Sequence, residues 1–201
     1  MKKHFLILLF ITVVLTTNLV AQIELTIVGG ANLATVKYND NTVDNEVDIS
    51  MKTGLILGVE TVGGPFIVGG SFTQRGATFK FEIDRYDFEG SDTYNYITGY
   101  ILYPVSVQKV LSLFGGCEFG KSIGGTTTYK NDYGSETYDL KAEEFALDFG
   151  LLFGADFMFN SNVGARASYF IGLSNVIGIA GYPPENNYKN RGIGLCLLYK
   201  I

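Results

Sequence analysis

The feature that most constrains this chain is a strict two-residue alternation from Phe145 to Phe159. Every second side chain is apolar, and five of these eight are phenylalanines, whereas the positions between them include two aspartates and two glycines. A period of two indicates an extended strand with two unlike faces. Soluble strands usually run about 3–10 residues, whereas strands that cross a bilayer need about 9–11 with an apolar outer face. The stretch therefore predicts a transmembrane β-strand.

The first 21 residues have a different pattern. Lys2 and Lys3 precede an almost wholly apolar run over 5–15, and Ala21 ends a small-residue cleavage site. This combination is typical of a secretory signal peptide, which is removed from the mature protein. The predicted domains are therefore the signal peptide and one outer-membrane β-barrel domain, 22–201.

Charge and composition exclude several classes of function. The chain has 20 acidic and 15 basic residues, and its one histidine, His4, lies in the predicted signal peptide. A mature chain without histidine lacks the commonest side chain for acid–base catalysis and metal binding. An acidic chain without basic clusters also argues against a nucleic-acid partner. After the signal, no apolar run reaches about 18 residues, so no transmembrane helix is predicted.

The two-residue alternation recurs along the chain and predicts eight strands. The predicted strands span about 23–34, 54–60, 66–83, 94–105, 110–122, 145–159, 163–173 and 192–201. Long polar loops follow the odd-numbered strands, at 38–50, 85–92, 126–141 and 180–188, and short turns follow the even-numbered ones. This asymmetry is typical of an all-β, eight-stranded antiparallel up-and-down transmembrane β-barrel. We therefore expect the cell outer membrane as the location.

Two strands are less regular. In the third strand the apolar positions shift by one residue across Gly76, which predicts a β-bulge there. In the fourth strand tyrosines occupy the even positions, so the sequence does not determine which face is internal.

Besides Lys200, six charged residues fall on the predicted inner faces of the strands, and these six form the predicted interior network. They are Glu60, Arg75, Glu118, Asp148, Asp156 and Arg166. One interpretation is a carboxylate pair for acid–base chemistry, and the other is a structural set of ion pairs that fills a narrow barrel. The second is favoured, because eight strands leave room only for side chains and enclosed charges need partners. We expect Arg166 to pair with Asp148 or Asp156 on the preceding strand.

No catalytic, cofactor-binding or metal-binding residues are predicted. A serine mechanism needs a partner base, usually histidine, and the acidic residues of 85–92 lack the spacing of an EF-hand loop. Cys117 faces outward and Cys196 inward on strands that are not neighbours, so we expect no disulfide between them. The protein is not expected to be an enzyme.

Four short segments resemble recurring segments of the PorT-type outer membrane protein β-barrel domain family of Gram-negative bacteria. They are Gln74–Gly76, Tyr100–Pro104, Asp148–Gly150 and Tyr199–Ile201. The resemblance covers the mature chain. It implies a small barrel in the outer membrane.

Two functions remain open at this point. The first is a monomeric outer-membrane barrel of structural or interaction type with a closed lumen. Such a barrel would contact membrane lipid and would bind any protein partner through its extracellular loops, chiefly 126–141. The second is a secreted, soluble, lipocalin-like barrel that binds a small ligand. The two differ in which side of the barrel wall is apolar, because a soluble barrel faces its apolar side chains inward.

Overall fold

The computed structural model describes residues 24–37, 48–83, 86–131, 134–175 and 188–201. The predicted signal peptide and the mature start at Gln22 lie outside these residues. So do most of the predicted loops 38–50 and 180–188. In the described ranges no helix is both long and apolar enough to cross a membrane.

The described residues form nine antiparallel strands, eight of which close into a barrel. The strands are β1 Leu25–Lys37, β2 Asp48–Gly63, β3 Phe66–Ile83, β4 Tyr86–Gln108, β5 Leu111–Asn131, β6 Gly134–Leu140, β7 Leu147–Met158, β8 Val163–Gly172 and β9 Lys189–Lys200. The barrel order is β1-β2-β3-β4-β5-β7-β8-β9, and β9 pairs back with β1, whereas β6 pairs with the far half of β5. The predicted eight-stranded up-and-down barrel is confirmed.

The two ends of the barrel are built differently. At one end, called here the turn end, β2–β3, β4–β5 and β7–β8 are joined by short turns at 64–65, 109–110 and 159–162. Gly64 has a φ of 62°, which a side chain would disfavour, and this allows the tight β2–β3 turn. At the opposite end, called here the sheet end, β2 to β6 continue beyond the closed barrel.

The outer face of the barrel wall is apolar. On seven of the eight barrel strands alternate side chains are large, hydrophobic and solvent-exposed, among them Ile27, Leu57, Val68, Ile101, Leu113, Leu151, Phe153, Ile193 and Leu197. On β8 the outward positions include the smaller Ala165 and Ala167. Aromatic residues gather toward the turn end, including a Phe66–Tyr103 pair with ring centroids 5.8 Å apart. An outward apolar band with aromatic residues at its border is the surface that a bilayer requires. The soluble lipocalin-like alternative, which needs an inward apolar face, is therefore rejected.

The inner face combines apolar layers with buried polar side chains. Toward the sheet end an apolar cluster spans the interior and consists of Val36, Ala77, Tyr94, Tyr96 and Phe145, with Ile49, Leu140 and Tyr188 packed against it. Toward the turn end Val28, Cys196 and Leu198 pack with Ile56 and Met158. The charged side chains lie between these layers.

Two of the predicted loops are wrong, because they are strands. The segment 86–92 belongs to β4 and pairs with β3 as far as Ile83–Tyr86, and 126–140 forms the end of β5 together with β6. A short 3-10 helix, Ala142–Glu144, then leads into β7. Both segments lack the apolar alternation because they stand beyond the barrel, where neither face needs to contact lipid.

The predicted bulge at Gly76 is also wrong in its position. The β3–β4 register is continuous through Gly76, and Ala77 stays on the inner face with Arg75. The register shift lies in the β2–β3 ladder between Met51 and Ile56, with the extra residue on β2. The odd-numbered residues of β3 therefore face inward on both sides of Gly76. The change in polarity there arises because the strand leaves the closed barrel and enters the protruding part of the sheet.

The structure also corrects the predicted orientation of Phe145 and determines which face of β4 is internal. Phe145, predicted to face outward, is buried and packs edge-on against Tyr94 with ring centroids 5.1 Å apart. It precedes β7, so the strand alternation does not govern it. In β4 the inner face holds Tyr96, Tyr100 and Leu102, so the even positions are the internal ones.

Candidate functional site

The first charged group inside the barrel surrounds Arg75 and is called here the Arg75 cluster. Arg75, 4% exposed, donates from Nη1 to Asp148 Oδ2 at 2.5 Å and forms an ion pair with Glu118. Asn190 Nδ2 donates to the same Asp148 oxygen at 2.8 Å. The guanidinium carbon lies 3.9 Å from the centre of the Phe170 ring. Arg75 thus connects β3 with β5, β7 and β8 across the lumen, and Asn190 adds β9 through Asp148.

The second group surrounds Arg166 and lies nearer the turn end. Arg166 donates to Asp156 through Nε (2.7 Å) and Nη2 (2.8 Å), and to Glu60 through Nη1 (2.6 Å) and Nη2 (3.0 Å). Tyr100 also donates its hydroxyl hydrogen to Glu60 at 2.8 Å. Bidentate contacts of this kind are the strongest that arginine makes with carboxylates. This Arg166 cluster joins β2, β4, β7 and β8.

A cavity of about 50 Å³, lined by both apolar and polar side chains, lies between the two clusters. Its lining includes both arginines, Glu118, Tyr100, Ser71 and Ser168. This volume can hold a few water molecules, since one water needs only about 10–15 Å³ on the same measure. It is far from the wide lumen of a porin.

The structure places all six charged residues selected from the sequence on the inner surface. Arg166 contacts Asp156, one of its two predicted partners, whereas Asp148 contacts Arg75 across the lumen. Sequence reasoning missed Glu60 as the second partner of Arg166, and it also missed Tyr100 and Asn190 as members. The tyrosines at the even positions of β4 could have indicated these members. Their regular two-residue spacing marks one face of the strand, and that face is the buried one.

Among the described residues, the cysteines and acidic side chains form neither a disulfide nor a metal-binding group. Cys117 and Cys196 are free, as predicted. Within the described parts of the chain, no group of three or more His, Cys, Asp or Glu side chains could hold a metal ion.

The second candidate site lies beyond the barrel, where five strands form what we call the protruding sheet. It comprises residues 48–51, 76–83, 86–95, 124–131 and 134–140. Phe79 pairs with Gly90, and Gly90 pairs with Tyr129, so these positions share one face. This face continues the inner face of the barrel and therefore looks toward the barrel axis.

An aromatic row crosses the axis-facing side of the protruding sheet. The rings of Phe79 and Tyr129 are 5.9 Å apart, and those of Tyr129 and Tyr138 are 6.2 Å apart. Tyr138, half-exposed, donates a hydrogen bond to Glu136 on the same strand, and this bond raises the pKa of Tyr138. The opposite face carries an ion pair between Lys80 and Glu89, which lowers the pKa of Glu89.

Comparison with known proteins agrees with a barrel that has an outward apolar band. A model of the outer membrane protein β-barrel domain matches residues 6–200. The chain belongs to this family. The family and the barrel together place the protein in the outer membrane, which confirms the predicted location.

Solved structures of the same architecture include two bacterial surface proteins. Ail, the attachment invasion locus protein of Yersinia pestis, is 18% identical with a TM-score of 0.51, covering 90% of this chain and 100% of Ail. Neisserial surface protein A is 12% identical with a TM-score of 0.50, covering 88% of this chain and 97% of that one. At these identities the likeness concerns the fold. A search of curated protein sequences finds no match.

Proposed function

We propose that this family member is a monomeric, non-catalytic interaction protein of the outer membrane. The barrel is a closed scaffold anchored in lipid, and the protruding sheet, chiefly residues 126–141, is the surface that contacts other proteins. The observation that carries this proposal is the contrast between the two candidate sites. The interior is filled by ion pairs and apolar side chains, whereas the sheet presents the exposed rings of Tyr129 and Tyr138.

The interior supports a structural role for its charges. In both clusters the arginine is enclosed and holds two carboxylates at once. Removing such charges from water costs several kcal/mol each, so they persist only with well-placed partners. We infer that Glu60, Arg75, Glu118, Asp148, Asp156 and Arg166 hold opposite walls of the barrel together.

The protruding sheet supports the interaction role. Four of its strands, β2 to β5, continue directly from the barrel wall, and β6 pairs with the end of β5, so the sheet stands away from the membrane. Short turns are expected on the periplasmic side of such barrels and longer segments outside, which puts the sheet on the cell exterior. Ail, whose fold is similar, is named as an attachment protein.

The finer assignments are part of the same proposal. Secretion through a signal peptide over residues 1–21 is the expected route to the membrane. Membership of the PorT-type subgroup in a Gram-negative organism rests on the four short segments that resemble that family.

The experiment that tests the proposal replaces residues 130–139 by a two-residue Asn-Gly turn. Both the full chain and this variant carry a photo-crosslinking amino acid at Thr128, so that the reporter is identical. We expect both forms to fold into heat-modifiable barrels in the outer membrane, and only the full chain to cross-link to protein partners. Failure of the variant to fold, or the same cross-linked partners for both forms, would contradict the proposal.

A further inference from the structure

We propose that the axis-facing side of the protruding sheet binds lysine and arginine side chains of a basic polypeptide. The site consists of the Tyr129 and Tyr138 rings and the Glu136 carboxylate. This inference rests on the proposed interaction function and adds the chemical class of the partner.

The glycine in β4 makes the aromatic row continuous. Gly90 lies between Phe79 and Tyr129 in the paired register, and the Phe79 ring covers it so closely that a Cβ there would collide with the ring. Because the intervening strand has no side chain at this position, rings two strands apart come into contact. The row thereby reaches from β3 to the exposed ring of Tyr138 in β6.

Glu136 brings a carboxylate to the edge of this row. It is the direct cross-strand partner of Tyr129, and it accepts a hydrogen bond from Tyr138. Among the described residues, no Lys or Arg side chain forms an ion pair with Glu136. Ring faces attract cations through their quadrupole, and an adjacent carboxylate adds a charge-assisted hydrogen bond. Together they match an ammonium or guanidinium group.

Charge over the whole protruding sheet favours a cationic partner. The sheet's residues 48–51, 76–83, 86–95, 124–131 and 134–140 include seven acidic and two basic residues. A negative surface attracts basic partners and raises their association rate. Ail has been crystallised with sucrose octasulfate, a heparin analogue and therefore a polyanion. The acidic sheet of this chain predicts the opposite preference.

The test measures binding of a fluorescein-labelled peptide of alternating glycine and arginine to the full chain, refolded in nanodiscs, by fluorescence anisotropy. We expect Glu136→Gln and Tyr129→Leu each to weaken binding about fivefold or more, since each removes one part of the cation site. Tyr129→Phe keeps the ring and should retain binding. Sucrose octasulfate should not bind.

The matched control is Asp139→Asn, which removes the same charge from the same strand but from the opposite face, where Asp139 pairs with Thr126. It should change affinity less than twofold. Equal losses for Glu136→Gln and Asp139→Asn would mean unspecific attraction and would overturn the inference. A loss for Tyr129→Leu without one for Glu136→Gln would mean that the carboxylate takes no part in the site and would also overturn the inference. Neither result would contradict the proposed function, which the cross-linking experiment with the variant lacking 130–139 tests separately.

Discussion

At Arg166, a single side chain balances two carboxylates that are themselves enclosed by the barrel wall. Its guanidinium makes four hydrogen bonds to Asp156 and Glu60 and lies 4.8 Å from the centre of the Phe114 ring. Lysine could not reproduce this planar, bidentate arrangement. The contribution of the residue is therefore geometric as well as electrostatic.

Truncating this side chain should be costly. Breaking a buried pair typically destabilises a protein by about 3–5 kcal/mol, because the remaining charge is left without a partner. We expect Arg166→Ala to lower the urea concentration at the midpoint of unfolding in micelles clearly. Lys80→Ala on the protruding sheet should have the smallest effect, and the midpoint of Arg166→Lys should lie between those of the two alanine variants. Equal midpoints for Arg166→Ala and Lys80→Ala would show that the Arg166 cluster does not support the barrel.

At the scale of the strand, the same β-structure serves two environments. The outward residues of β7 and β5 within the barrel, such as Leu151 and Leu113, contact lipid, whereas the outward residues of β5 beyond it, such as Thr128, contact water. The effect of an outer-face substitution on stability should therefore depend on whether the residue lies within the barrel or beyond it.

This dependence can be measured with one substitution at two positions. Arginine on the lipid face of a barrel costs about 2–4 kcal/mol at the bilayer midplane and about 0–1 near its borders. We expect Leu151→Arg to destabilise the folded protein in lipid vesicles strongly and Thr128→Arg to leave it nearly unchanged, as followed by the folded fraction on unheated gels. Similar losses at both positions would contradict the proposed membrane boundary.

Strands can be predicted from the sequence where they cross the membrane, because contact with lipid requires every second side chain to be apolar. Beyond the membrane this requirement is absent, and the strands cannot be recognised by alternation. The outward residues from Leu147 to Phe157 could be predicted, and so could the inward positions of Asp148 and Asp156. The strands at 86–92 and 126–140 could not, because threonine, tyrosine and charged residues are stable on either face in water. The contact of Arg75 with Asp148 also could not be predicted, since it joins strands that are not neighbours and depends on the closed barrel.

For the whole molecule, the decisive feature is that the lumen is filled. An apolar cluster toward the sheet end, the Arg75 cluster, the small cavity and the Arg166 cluster follow one another along the axis. Eight strands enclose only enough space for such side chains, whereas aqueous channels are built from about 16–18 strands. This filling supports the proposal that the barrel is a support for the protruding sheet and not a pore.

Planar-bilayer recording of the refolded protein tests this closure most directly. Insertion is verified on the same sample by heat-modifiable migration, so that silence cannot be confused with failure to insert. We predict no steady porin-sized conductance, for the full chain and for the variant that lacks 130–139 alike. A steady conductance of porin size in the full chain would contradict the account.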